Sequence, residues 1–186
     1  MASIHPFRAL RPVPEMAATV AAVPYDVVSR AEACELAEGN AHSFLHVSRS
    51  EIDLDIQTNP YADVVYQKAA ENLEALRQSV PLVVEEAPSL YFYRLQDGSH
   101  QQTGLAGCYS IDEYERGVIK RHERTRADKE DDRTRHIVAV RAQTGIAFLT
   151  YRAPEEIVAL QARACEDEPL FDITAPDGVR HTVWRL

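Results

Sequence analysis

Apolar residues fall at helical spacing in one long stretch, where Val64, Val65, Ala69, Leu73 and Leu76 form a stripe. That stripe predicts a helix running to about residue 79, started by Asn59 as N-cap and Pro60 at the first helical position. An earlier helix is predicted from Ser29, because Ser29 and Glu32 stand in capping-box register and each can satisfy an orphan amide; Gly39 ends it. Pro6, Pro12, Pro14 and Pro24 keep residues 5–26 from forming a regular helix, with a short strand at 19–23 and Tyr25 and Asp26 in the turn after it. Residues 43–48 read as a strand carrying His42 and His46 at its edge or on its polar face. Residues 49–59 read as a loop that tucks Ile52, Leu54 and Ile56 inward.

The clearest β pattern is 89–96 followed by Asp97, Gly98 and 101–111, a hairpin whose polar residues predict a loop longer than two residues. Gly104 and Gly107 mark a bulge or a close backbone approach there, and they do not form a nucleotide-binding glycine pattern. Asp112 opens a helix with Tyr114, Val118 and Ile119 on its buried side, and Asp128 caps another that begins at Lys129 and reaches Ile137, Val138 and Val140. A strand at 146–151, a helix from Pro154 through 164, and two strands around the turn at Asp177 and Gly178 complete the chain. These elements predict an α/β or α+β fold, a mixed β-sheet with helices packed around it, in a single domain spanning 1–186. The closing run 181–186 still reads as strand, so the natural chain is expected to continue and this sequence to be its N-terminal part.

Composition narrows the function classes. A 186-residue chain with 45% hydrophobic residues can bury a core. Its formal net charge of -9 disfavours broad attraction to nucleic acid or to an anionic membrane, so any anion must bind locally. No stretch has the length of a signal-peptide core or a membrane span, which points to the cytoplasm. Cys34, Cys108 and Cys165 are widely separated and lack a CxxC pair, so they read as small core residues rather than as a disulfide or zinc framework.

The candidate site is the stretch 117–136, GVIKRHERTRADKEDDRTRH. Lys120, Arg121, Arg124, Arg126, Lys129, Arg133 and Arg135 supply cations, Glu123, Asp128, Glu130, Asp131 and Asp132 supply anions, and His122 and His136 flank the acidic part. Such a run is ordinarily a solvated helix face laced with ion pairs. It also suits a phosphate and a metal ion together, and the polar first turn of the helix at Lys129 offers free amides to an anion. His122 and Glu123 begin like a zinc-protease HExxH, but Arg126 stands at its fifth position and that motif fails.

The segments HPFRALRP, VAAVPYDVVS, SFLHVSRSEIDL, QTGLAGCYS, GVIKRHERTRADKEDDRTRH and QTGIAFLTYR together resemble the bacterial and archaeal domain-of-unknown-function 1015 family, along almost the whole chain. Members of that family usually run to about twice this length and carry a later DGHHR-like motif, which is absent here. Val23 stands where the family usually has a second proline before its Tyr-Asp pair. The family resembles, at a distance, the ParB and sulfiredoxin superfamily, whose relatives include nucleotide-dependent phosphotransferases and nucleoside-triphosphate-binding DNA-segregation proteins.

The resemblance implies an enzyme of phosphotransferase, kinase-like type, using ATP and Mg2+ on a hydroxyl-bearing metabolite such as an amino acid. Lys120, Arg124, Thr125, Arg126, Lys129 and Arg133 would then hold phosphate, and Asp128 and Glu130 the metal. Asp26 or Glu123 would accept the hydroxyl proton, with His122 as a reserve base and Tyr25 beside them. The alternative is a non-enzymatic regulatory module in which the same residues bind a nucleotide or phosphometabolite. DNA binding is disfavoured by the acidic balance and by the lack of a helix-turn-helix. The oligomeric state is open.

Overall fold

A computed structural model describes residues 2–121 and 125–186. Its internal contacts gather into two compact units, each assembled from separate stretches of chain: 1–18, 82–124 and 149–186 in one, and 19–81 with 125–148 in the other. Both helices and strands are present, and every strand pairing described is antiparallel. No helix among the described residues is long and apolar enough to cross a membrane.

Among the described residues the first unit holds eight strands: β1 (Ile4–His5), β2 (Leu10–Pro12), β3 (Leu82–Val84), β4 (Tyr91–Asp97), β5 (His100–Ala106), β6 (Cys108–Tyr109), β7 (Phe171–Thr174) and β8 (Arg180–Arg185). Four of them make a sheet in the order β5-β4-β8-β7, while β1 pairs with β6 and β2 with β3. The predicted hairpin is β4 and β5, but Asp97 pairs directly with His100, so its loop has only Gly98 and Ser99. Gly98 adopts φ 54, which lets the chain reverse within two residues where a longer loop was expected. Gly107 is a close approach, since a Cβ there would lie 2.6 Å from an Ile4 side-chain carbon. Phe92, Trp184 and Ala164 form the core under this sheet, with Leu105, Leu160 and Cys165 packed against them.

Glu85 follows β3 and is buried, which burial of a carboxylate permits only when its charge is matched. Arg11 Nε lies 2.5 Å from its Oε1 and Arg185 Nη1 2.6 Å from its Oε2, so one carboxylate joins β2 to β8. Arg8 Nε donates to the Glu85 carbonyl at 2.7 Å.

Several expected elements differ. The helix predicted from Asp112 is α5 (Ile111–Glu115), capped by the Ser110 hydroxyl; Gly117 at φ 73 ends it and leaves Val118 exposed. Residues 146–151 form no strand, and Ile146, Phe148 and Tyr151 are exposed: an apolar alternation gives no backbone partner by itself. The helix after Pro154 is α7 (Glu155–Ala164), as its first-turn acids predict. Cys34 and Cys108 are exposed rather than in the core, whereas Cys165 is partly covered.

The second unit is helical: α1 (Ala17–Val20, its first two residues assigned to the other unit), α2 (Arg30–Ala37), α3 (Leu45–Ser48), α4 (Asp63–Ser79) and α6 (Ala127–Val140). The capping box at Ser29 and Glu32 is present, and Gly39 sits at φ 73 just past α2. Residues expected as strands at 19–23 and 43–48 are instead the end of α1 with the coil that follows it, and the short helix α3 with its lead-in turn. A four-residue apolar run does not distinguish the two, and here the Phe44 amide is taken by the Val20 carbonyl at 3.0 Å. The expected loop at 49–59 contains a 3-10 turn, Ser50–Asp53, with Ser50 and Glu51 buried. Arg30 holds it by donating to the carbonyls of Glu51, Leu54, Asp55 and Ile56.

Helix α4 begins three residues later than expected. Asn59 closes a turn, its Oδ1 accepting from the Tyr61 amide at 2.9 Å, and Ala62 becomes the N-cap. The inward stripe is Val65, Tyr66, Ala69, Leu73 and Leu76, so Tyr66 replaces the exposed Val64. That exchange brings a phenol into the interior facing α6.

Candidate functional site

Helix α6 carries most of the charged stretch. It starts after Arg126, whose extended backbone caps the helix without any side-chain hydrogen bond, and it ends at Arg141 in a left-handed conformation. Asp128 was expected to be the cap; instead its carboxylate receives Arg126 Nε at 3.0 Å and Nη2 at 2.7 Å. Lys129, Asp132, Arg133, His136 and Val140 recur at spacings of three and four, so they share one face. Asp132, His136 and Val140 are buried, which identifies that face as the inward one. An inward face is normally apolar, and this one is apolar only at its C-terminal end.

Burial of these polar groups is compensated by specific partners. Tyr66 Oη on α4 donates to Asp132 Oδ1 at 2.8 Å, and Arg133 Nε and Nη2 donate to Asp132 Oδ2 at 3.0 and 2.7 Å. The Arg133 guanidinium carbon also lies 3.9 Å from the centre of the Tyr25 ring. Arg49 reaches the same turn, donating from Nη1 to the Tyr25 carbonyl at 3.1 Å, while its Nε lies 2.9 Å from Glu51 Oε1. Burial, reinforced by the hydrogen bond to Asp132, pushes the Tyr66 phenol up to about 12.

His136 Nε2 faces the Val47 carbonyl at 3.0 Å. A carbonyl only accepts, so Nε2 carries the proton and Nδ1 presents a lone pair, which is buried without a partner among the described residues. Burial lowers the His136 pKa, more than the Val47 hydrogen bond raises it. The ring is therefore held neutral.

The structure brings some expected site residues together and leaves others apart. Tyr25 sits in the predicted turn and meets Arg133, while Asp26 beside it is exposed. Lys129 Nζ donates to Tyr61 Oη at 3.0 Å, a contact that raises the lysine pKa. Arg126, Thr125, Asp128 and Glu130 are exposed, and Asp128 is held below the usual carboxylate range first of all by Arg126. Lys120 belongs to the other compact unit. His122, Glu123 and Arg124 lie outside the described residues. Among the described residues no group of three or more His, Cys, Asp or Glu side chains is arranged to hold a metal ion.

The sequence places Asp132 in the candidate stretch only as one anion among several and His136 only as a flank, and it gives Tyr66 no place in the site. For Asp132 and His136 the signal was present, because both fall on the stripe that Val140 defines as inward. For Tyr66 it was absent, since Val64 and Val65 fit the α4 stripe equally well by pattern.

A helical unit with a charged inward face and an antiparallel sheet unit define the class: an α+β protein with a polar site built on α6. The chain belongs to the family described as protein of unknown function (DUF1015), which matches residues 4–186. Comparison with curated proteins and with solved structures gives no match.

Proposed function

We infer that the N-terminal half of α6 binds a phosphate-bearing small molecule, and that the chain uses a nucleotide there as an ATP- and magnesium-dependent phosphotransferase. The observation that carries this reading is the cationic end of the inward face, where Lys129 bonds the Tyr61 hydroxyl, Arg133 stands on the Tyr25 ring and Arg126 precedes an N-terminus with no side-chain cap. Along a helix axis, residues 126, 129 and 133 are separated by about 4.5 and 6 Å, a spacing suited to a di- or triphosphate more than to one phosphate. The first-turn amides add positive potential at the same end. Among the described residues Arg126 is held by an exposed ion pair with Asp128, which contributes little and can be exchanged for a phosphate.

In the enzymatic form, a substrate hydroxyl oxygen bonds to the terminal phosphorus of ATP, the bond to the bridging oxygen breaks, and ADP leaves. Asp26, one residue from Tyr25, or Glu123 accepts the hydroxyl proton, with His122 in reserve. Magnesium usually rides on substrate phosphates with one or two protein carboxylates, and the exposed Glu130 fits that role, with Asp128 joining it once a phosphate draws Arg126 away. A second reading is a module in which the same cationic end binds the phosphate-bearing ligand without group transfer, and it is favoured by the lack of a three-ligand acidic or histidine cluster among the described residues.

Calorimetric titration with ATP, with and without magnesium, followed by ADP release in the presence of serine and similar hydroxyl metabolites, tests both. Binding weakened at least tenfold by Arg133→Ala, with ADP release, is the expected result. Binding without ADP release leaves the regulatory module, no binding of ATP rejects the phosphotransferase, and no binding of ATP or pyrophosphate rejects both.

A further inference from the structure

Arg133 is a candidate phosphate ligand that already holds a carboxylate. Asp132 is the adjacent residue, and taken alone its charge would cancel the arginine and repel an anion. The geometry assigns it another role. A guanidinium has five N–H donors. Asp132 Oδ2 takes the edge formed by Nε and Nη2, so the edge between Nη1 and Nη2 carries no partner among the described residues. The Tyr25 ring covers one guanidinium face at 3.9 Å, and Asp132 is itself fixed by the buried Tyr66 hydroxyl on its other oxygen. One side, one face and the anchoring carboxylate are thus set before any ligand arrives. The side chain remains 27% exposed, enough for an oxyanion to reach it.

We propose that Tyr66 and Asp132 are positioning residues that fix the Arg133 guanidinium against Tyr25 and present its end-on edge to a phosphate oxygen pair. The proposal rests on the phosphate-binding reading above and deepens it. An arginine that must find its geometry on binding loses rotamer freedom at that moment, whereas one held in advance does not. Bidentate pairing to a phosphate also depends on the plane of the fork, which these contacts set.

Charge cancellation and positioning predict opposite signs. If Asp132 only offsets Arg133, then Asp132→Asn raises affinity for an anion. If it positions Arg133, affinity falls by about tenfold, which corresponds to about 1.4 kcal/mol, and Tyr66→Phe falls in the same direction.

The experiment uses the whole chain with ATP and with pyrophosphate as calorimetric probes. In parallel, nitrogen-15 NMR observes the Arg133 Nε–H, which Tyr25 and Asp132 should shift and protect from solvent exchange. The expected result is weaker binding and loss of that protected signal in both Asp132→Asn and Tyr66→Phe, with neither change in the surface control Glu71→Gln. Tighter binding in Asp132→Asn, or a protected signal that survives Tyr66→Phe, overturns the assignment. If neither probe binds the wild-type chain, the phosphate reading fails, and the Arg133 signal still decides whether Tyr66 and Asp132 position it.

Discussion

The Arg133 guanidinium lies 3.9 Å from the centre of the Tyr25 ring, joining residues 108 positions apart in the sequence. The contact links the turn after α1 to the inward face of α6. A cation held over an aromatic face in a partly buried place contributes about 0.5–2 kcal/mol. A double-mutant cycle of Tyr25→Ala and Arg133→Ala, read by urea unfolding, should return a coupling energy in that range, and Tyr25→Phe should retain most of it. Additive effects would show that the two side chains merely lie near one another.

Tyr66 gives an alkaline signature. Its phenol is pushed up to about 12 by burial and by Asp132, against about 10 for a free tyrosine. A raised folded value means that the stability from this group is fully present below about pH 10 and is lost as pH rises through about 12. Urea midpoints for the wild type should fall over that window more steeply than for Tyr66→Phe. At neutral pH, Tyr66→Phe should cost about 1–3 kcal/mol, because Asp132 Oδ1 loses its donor while still buried. Parallel alkaline profiles would remove Tyr66 from the account.

Glu85 gives the corresponding acid signature in the sheet unit. Burial by itself raises its pKa, but the hydrogen bonds and charges of Arg11 and Arg185 outweigh burial and hold it below the ordinary range. A depressed folded value means stability that is present above the ordinary glutamate range and lost as pH falls through the lowered value. Glu85→Ala should destabilise the chain by about 3 kcal/mol, since a partly buried Arg11 is left unpaired, and it should flatten the acid limb of stability against pH. A destabilised variant with an unchanged acid limb would show that another carboxylate controls it.

His136 should also be visible in pH dependence. Its folded pKa lies below the ordinary value of about 6.5, chiefly through burial. Its contribution is therefore present above about pH 6.5 and declines as pH falls through the lowered value, because unfolding then takes up a proton. His136→Gln should lose that dependence between pH 7 and 5. NMR of the wild type at pH 7 should show a neutral ring protonated at Nε2, as the Val47 carbonyl requires. A ring protonated at Nδ1 alone would contradict the arrangement.

The elements that were legible in the sequence are those whose signals are local. The capping box at Ser29 and Glu32, the left-handed glycines at 39, 98 and 178, and the helix after Pro154 all depend on contacts within a few residues. Residues 43–48 and 146–151 carry a strand pattern but form no strand, because a strand needs a partner that its own pattern does not contain. The start of α4 is not legible in the sequence, because Asn59 can close a turn as readily as cap a helix.

The sequence by itself determined where charge is concentrated and that Lys129, Asp132, Arg133, His136 and Val140 share one face of a helix, because helical spacing follows from backbone geometry alone; that this face turns inward came from the structure. The sequence also carried the family, through ordered motifs spread along the chain. Only the tertiary structure decided that Tyr66 rather than Val64 turns inward and that Tyr25 lies under Arg133. It likewise decided that Arg11 and Arg185 share Glu85. Those contacts depend on distances between residues far apart in the chain, which are set when helices and strands pack and buried charges must find partners, and no local pattern encodes them.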